Sequence, residues 1–110
     1  MTIYIDTCQY VFKFMDDRQF QKIAKALADP RRFQIFQTIA TANEDEMCCG
    51  AVCNEFPVSQ ATVSHHLKEL TEADLLVPRC EGQFKFWTLN QETIKEYIAE
   101  LQKRLQLPKK

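Results

Sequence analysis

A mainly α domain with one β-hairpin, about five helices and two strands in all, is predicted by three stretches of the chain. The first is Ser59 to Leu70. Ser59 suits a helix N-cap, and Val63, Leu67 and Leu70 then fall on one stripe at 100° per residue. Ala61, Thr62, His65 and Lys68 lie opposite that stripe, with Gln60 and Ser64 beside them. The second is a short helical segment from about Cys49 to Phe56, stopped by Pro57-Val58 just ahead of Ser59. The third is a pair of strand-like runs, Leu75 to Cys80 and Gln83 to Leu89, around Glu81-Gly82.

The 110 residues are enough for one domain with one core, and 45% hydrophobic content with eight Phe argues for a folded globule. The expected division is an N-terminal arm over 1–15, a domain over 16–106 and a short tail over 107–110. No run of about 18 apolar residues exists. The segment Met1 to Asp6 lacks the basic and long apolar regions of a secretory signal. A cytoplasmic protein is the expectation.

The elements follow in order. In the arm, Tyr10, Phe12 and Phe14 alternate, which fits a strand or an extended segment. With Tyr4 they are too many aromatics for a solvated tail, so the arm covers its own core or crosses to a partner subunit. From Asp16 to Ala28, Phe20, Ile23, Ala24 and Leu27 recur at helical spacing. Asp29-Pro30 restarts the chain as N-cap and first helical residue. Phe33, Ile35, Phe36, Ile39 and Ala40 make the next helix broadly apolar, and Arg31 and Arg32 stand at its start. Residues 41–46 read as an acidic loop.

After Leu70 the helix should end near Ala73-Asp74. Pro78 cannot donate to a ladder, so its strand should be an edge. Asn90 caps a final helix with the stripe Ile94, Tyr97, Ile98, Leu101 and Leu105, longer than so small a core needs. A helix, a tight break, a second helix and then a hairpin make a winged helix-turn-helix. The face of small and hydrogen-bonding residues on the second helix suits a DNA major groove. The candidate DNA contacts are Ser59, Gln60, Thr62, Ser64, His65 and Lys68 on the helix, with Arg79 and Lys85 on the hairpin. A net charge of −1 is unusual for a DNA-binding domain, but Arg31, Arg32, Lys68, Arg79 and Lys85 gather in mid-chain while acidic residues bunch at Glu44-Asp45-Glu46 and near both ends. No enzyme motif stands out: there is no Cys-x-x-Cys, no His-Glu-x-x-His and no glycine-rich phosphate loop, with only two Gly in the chain.

With these elements in place the chain resembles the ArsR/SmtB family of winged helix-turn-helix repressors. The matching segments are Leu27-Ala28-Asp29-Pro30-Arg31-Arg32, Ser59 to Leu70 with its core Thr62-Val63-Ser64-His65-His66-Leu67, and the hairpin, together spanning roughly residues 20–101. The resemblance implies a homodimer formed by the first and last helices. It further implies two recognition helices in successive major grooves of a palindromic operator, and release from DNA when a metal, metalloid or oxidant acts on cysteines or histidines. Two departures stand out. The family commonly has Gly after the recognition helix, where this chain has Asp74. A family site of Asp, His and Glu on the last helix has no counterpart, because residues 90–110 contain no His.

Five cysteines, Cys8, Cys48, Cys49, Cys53 and Cys80, are an odd set for a disulfide framework. The family's arsenic-type motif is Cys-x-Cys with a third Cys three positions on. Cys48 and Cys53 match its first and third positions, and Cys49 stands near the second, which Gly50 occupies. Cys49 and Cys53 are one helical turn apart, with Cys48 just before the helix. Three thiolates there would suit trivalent arsenic or antimony, or a soft metal ion, as an inducer, no cofactor being required. The alternatives are that Cys53 packs as a small hydrophobe beside two incidental thiols, that the thiols respond to oxidants, or that the regulator has no ligand. Cys8 and Cys80 read as bystanders. The alternative for Cys8 is that some relatives recruit cysteines from the N-terminal arm of the other subunit, where Cys8 lies, and Cys80, in the wing, would alter DNA contact if modified. His65 is expected outward as a base or phosphate contact, and His66 as a packing residue with a local hydrogen bond.

Overall fold

The structure, a computed structural model, describes residues 15–42 and 47–108, and for Met47 and Cys49 the backbone alone. The arm reading, Cys8, most of the acidic loop and the last two residues therefore lie outside the described residues. Helix α1 is Asp17–Ala28, α2 Pro30–Ala40, α3 Cys49–Glu55, α4 Gln60–Glu72 and α5 Gln91–Arg104. Strand β1 is Met47–Cys48, β2 Leu76–Glu81 and β3 Phe84–Leu89.

The helices start where their side chains can satisfy the first-turn N–H groups. Asp16 accepts from Gln19 N at 2.9 Å, Asp29 from Arg32 N at 3.0 Å, Ser59 from Thr62 N at 3.1 Å and Asn90 from Thr93 N at 3.4 Å. Pro30 takes the first position of α2, where no N–H is needed. Only α3 begins without such a bond, at Cys48.

The largest side chains with essentially no exposure are Ile23, Ile35, Val52, Val63, Leu67, Leu70, Leu75 and Leu76. They come from α1 to α4 and the start of β2, so one core holds all of these elements. Two helical faces sit differently from expectation. In α1 the buried set is Phe20, Ile23 and Ala26, not Ala24. The first turn of α1 is tied to the end of α4, where Gln19 Nε2 donates to the Ala73 carbonyl at 3.3 Å. In α2 the core takes Ile35, Phe36 and Ile39, leaving Phe33 and Ala40 exposed. Ile35, Phe36 and Ile39 form one stripe at helical spacing, and Phe33 and Ala40 fall off it.

The end of α4 departs from the family's usual Gly without changing the backbone. Asp74 has φ +67°, the left-handed region. Its N–H bonds to the Thr71 carbonyl at 2.9 Å, and Leu75 N–H bonds to the Leu70 carbonyl at 3.0 Å. This is the Schellman pattern, closed by the buried pair Leu70 and Leu75.

The sheet has three strands in the order β1-β3-β2, all antiparallel. The sequence predicted two. Met47 pairs with Trp87 and Cys48 with Phe86, so the residues entering α3 are laddered onto the wing. The hairpin turn is Gly82-Gln83, not Glu81-Gly82, and Glu81 pairs with Phe84. Gly82 takes φ +63° at the first turn position, where a side chain would be strained. Strand β2 is an edge, which tolerates Pro78.

Helix α5 is held to α1 by Arg104. Its guanidinium bonds Asp17 at 2.8 Å and Glu100 at 2.8 Å and stacks 4.0 Å from the Phe20 ring centroid. Ile94 and Tyr97 pack on the core, and beyond them the helix turns apolar side chains to solvent.

Candidate nucleic-acid interface

Helix α4 separates cleanly into two faces. Val63, His66, Leu67 and Leu70 are buried, while Gln60, Ala61, Thr62, Ser64, His65 and Lys68 are exposed along one outer surface, with Ser59 at its start. The first turn of that surface is stiffened by its own polar groups. Ser59 Oγ, besides capping the helix, lies 3.0 Å from Thr62 Oγ1. The two hydroxyls therefore hold each other in place, leaving Gln60, His65 and Lys68 as the longer and more adaptable groups on the face.

The two histidines differ in setting although their ring centroids are 5.9 Å apart. His65 is exposed, as expected. His66 is buried, and its hydrogen bond is not local. Its Nδ1 accepts from Arg32 Nε at 3.3 Å, across 34 residues of sequence. An accepting Nδ1 requires the neutral ring with its proton on Nε2. Burial pushes the His66 pKa down. Asp29 opposes that shift, and Arg32, His65 and Arg31 add to it. Asp29 in turn is held below the usual carboxylate range, chiefly by accepting the Arg32 backbone N–H. The cap of α2 and the inner face of α4 are thus one polar cluster. Arg31, beside it, lies over the Phe56 ring at 5.5 Å, next to the turn between α3 and α4.

On the wing, register puts Arg79 opposite Phe86 and Lys85 opposite Cys80. Side chains alternate along a strand, so Arg79 and Lys85 stand on opposite faces of the hairpin. Both are exposed. Arg79 pairs with Glu81 at 3.2 Å and lies 4.9 Å from the Phe86 ring, and Lys85 lies 5.6 Å from the Trp87 ring. Glu81 as a neighbour of Arg79 was hidden in sequence by the misplaced turn. A surface pair of this kind contributes little and is easily exchanged for a phosphate.

Cys48 and Cys53 are half-buried, Cys80 is exposed, and none of the three forms a disulfide. Cys53 packs against the core. Cys48 is both the last residue of β1 and the N-cap of α3. Among the described residues no three His, Cys, Asp or Glu side chains are grouped to hold a metal ion. The Cys49 side chain, third member of the expected set, lies outside the described residues.

The fold and this face define a helix-turn-helix regulator with a wing. A model of a helix-turn-helix domain matches residues 27–79. An uncharacterized HTH-type transcriptional regulator of Bacillus subtilis is 33% identical over 86 residues, 78% of this chain and 85% of that protein. The arsenical resistance operon repressor of Staphylococcus xylosus is 32% identical over 86 residues, covering 78% of this chain and 79% of that one. A crystal structure of a possible transcriptional regulator for arsenical resistance aligns with TM-score 0.63 at 29% identity, over 72% of this chain and 79% of the other. The chain belongs to the ArsR/SmtB family of transcriptional repressors, whose helix-turn-helix members bind double-stranded DNA. Among the described residues no helix is long and apolar enough to cross a membrane.

Proposed function

We propose that the protein is a cytoplasmic, homodimeric repressor that grips a palindromic operator with α4 and the wing and lets go when a thiol-directed inducer binds Cys48, Cys49 and Cys53. The observation that carries the reading is the two-faced α4, with its outer surface polar, small and exposed and its inner surface locked into the core. Gln60, Ser64, His65 and Lys68 reach base edges and phosphates, Ser59 and Thr62 set the first turn, and Arg79 and Lys85 meet phosphates on either side of the wing.

The coupling follows from where the cysteines sit. Trivalent arsenic gathers three thiols into one pyramid: each S–H proton leaves with an arsenite hydroxide as water, and three As–S bonds replace three As–O bonds. Cys48 is laddered to Phe86 of β3, whereas Cys53 is on α3, one short turn ahead of α4. Drawing these sulfurs together pulls α3 against the wing strand. The DNA-competent arrangement of wing and α4 is then the less favoured of two states. The arsenical resistance repressors among the relatives favour arsenite or antimonite as the inducer.

The test is fluorescence anisotropy on the promoter DNA upstream of this chain's own gene, with arsenite, cadmium, zinc and peroxide titrated in parallel. Wild-type protein should bind in a salt-sensitive manner and be released by arsenite or a soft metal. The Cys48→Ser, Cys49→Ser, Cys53→Ser variant should bind equally well and stay bound. A triple variant released as readily as wild type would place the sensor elsewhere. Release by peroxide alone would replace metal sensing with thiol oxidation.

A further inference from the structure

Residues of α1, α2 and α4 line an open cleft of about 390 Å³, none of them among the candidate DNA contacts. Its polar lining is Arg18, Gln21, Lys22, Lys25, Arg32 and Glu69. Four cations face one carboxylate there, in a chain whose net charge is −1. The ion pairs of Arg79 with Glu81 and of Arg104 with Asp17 and Glu100 lie elsewhere and neutralise no cation of the cleft. Arg18, Lys22 and Lys25 recur at helical spacing along one exposed edge of α1. Arg32 is half-buried, and its Nε–H bond to His66 fixes where its guanidinium points.

The cleft also lies clear of α5. Helix α1 turns Phe20 onto Tyr97 and Asp17 onto Arg104, both of α5, and presents its lysines on the other side.

We propose that this cleft binds a phosphate group. Arg32 supplies a planar fork of donors, Arg18, Lys22 and Lys25 supply further positive charge, and Gln21 adds a neutral donor. Glu69 is the counter-charge that keeps the empty cleft tolerable, and it competes with the phosphate. Because Glu69 belongs to α4, an occupied cleft acts on the recognition helix directly. Two sources carry this chemistry: the backbone of DNA beside α4, or a free phosphorylated small molecule. The first source rests on the DNA-binding reading, and the second does not.

The experiment compares the full-length protein with its Lys22→Gln, Lys25→Gln double variant and its Glu69→Gln variant. All three changed side chains lie at the cleft rim and outside the apolar core, and circular dichroism melts check that each variant is folded. Each protein is titrated onto a random-sequence duplex at several salt concentrations, and separately with inorganic pyrophosphate by calorimetry. If DNA is the source, the double variant binds duplex several-fold more weakly, with a salt slope shallower by about one per subunit. Glu69→Gln then binds more tightly. If a free molecule is the source, pyrophosphate binds wild type, loses at least about tenfold in the double variant and gains in Glu69→Gln, with duplex binding unmoved. Should wild type bind no duplex at all, the DNA reading falls, and the pyrophosphate titration still decides the cleft. A double variant that matches wild type in both titrations overturns the proposal.

Discussion

Asp74 shows how one residue can do the work of another by different means. The left-handed conformation costs a non-glycine residue on the order of 1 kcal/mol. Asp74 offsets that cost with its carboxylate. Oδ2 accepts from Thr93 Oγ1 at 3.2 Å, and Oδ1 lies 3.5 Å from Asn90 Nδ2. Asn90 N–H meanwhile donates to the Leu75 carbonyl at 2.9 Å. The end of the recognition helix is therefore tied to the start of α5, a link a glycine would not make. Asp74→Ala keeps the backbone strain and loses both side-chain bonds, so it should destabilise by about 1–3 kcal/mol in urea unfolding. Asp74→Gly loses the bonds but also the strain, and should cost less. Equal losses for the two variants would mean that backbone strain at this position is negligible. His66 yields a second prediction. Its folded pKa lies below the ordinary 6.5, for the burial reason given above, with Asp29 partly opposing. The unfolded chain therefore takes up a proton first as pH falls. The stability contributed by neutral His66 is complete above about pH 6.5 and is lost progressively below it. Protonation also removes the Nδ1 lone pair that Arg32 uses. Melting temperature should fall from pH 7 to pH 5 in wild type and fall less in His66→Gln. Identical pH profiles would remove His66 as the cause.

At the scale of elements, the sequence was readable wherever a local rule was sufficient. Asp29, Ser59 and Asn90 were read as helix caps, and the structure uses all three, with Asp16 as a fourth. The inner stripe of α4 was visible because three of its residues are strongly apolar. His66 was legible as a packing residue beside that stripe, but its partner Arg32, distant in sequence, was not. Strand β1 was invisible for a related reason. Two residues have no periodicity, and Met47 and Cys48 become a strand only by pairing with Trp87 and Phe86. Placing the turn one residue early shifted every expected cross-strand partner by two, which concealed Glu81 beside Arg79. The basic cleft was half visible. Arg18, Lys22 and Lys25 form a stripe in the sequence, but Arg32 and Glu69 join it only through packing of α1, α2 and α4. The cysteine cluster remains a reading of spacing plus the backbone course of β1 and α3.

At the scale of the whole molecule, α5 makes a stripe larger than the core beneath it can cover. Ile98, Leu101, Leu105 and Leu107 are 50%, 36%, 59% and 52% exposed, whereas Ile94 and Tyr97 on the same helix pack inward. Four large apolar residues in sequence along one helix end are a patch that isolated chains seldom expose. The stripe runs to the C-terminal cap, where Leu107 N–H bonds to the Gln102 carbonyl at 2.9 Å and holds the last leucine in line. A two-fold partner placing the same stripe against this one would bury all four residues at once. Such a pairing would set two copies of α4 at a fixed spacing, which is the requirement for reading a palindrome. Ile98→Glu with Leu101→Lys should therefore leave the fold of each chain intact, because neither side chain is part of the described core. It should also convert a dimer to a monomer in sedimentation velocity. Binding to a single half-site should survive weakly, and binding to the full promoter fragment should fall steeply, because the second contact would no longer be intramolecular. A variant that still sediments as a dimer would move the subunit interface off α5.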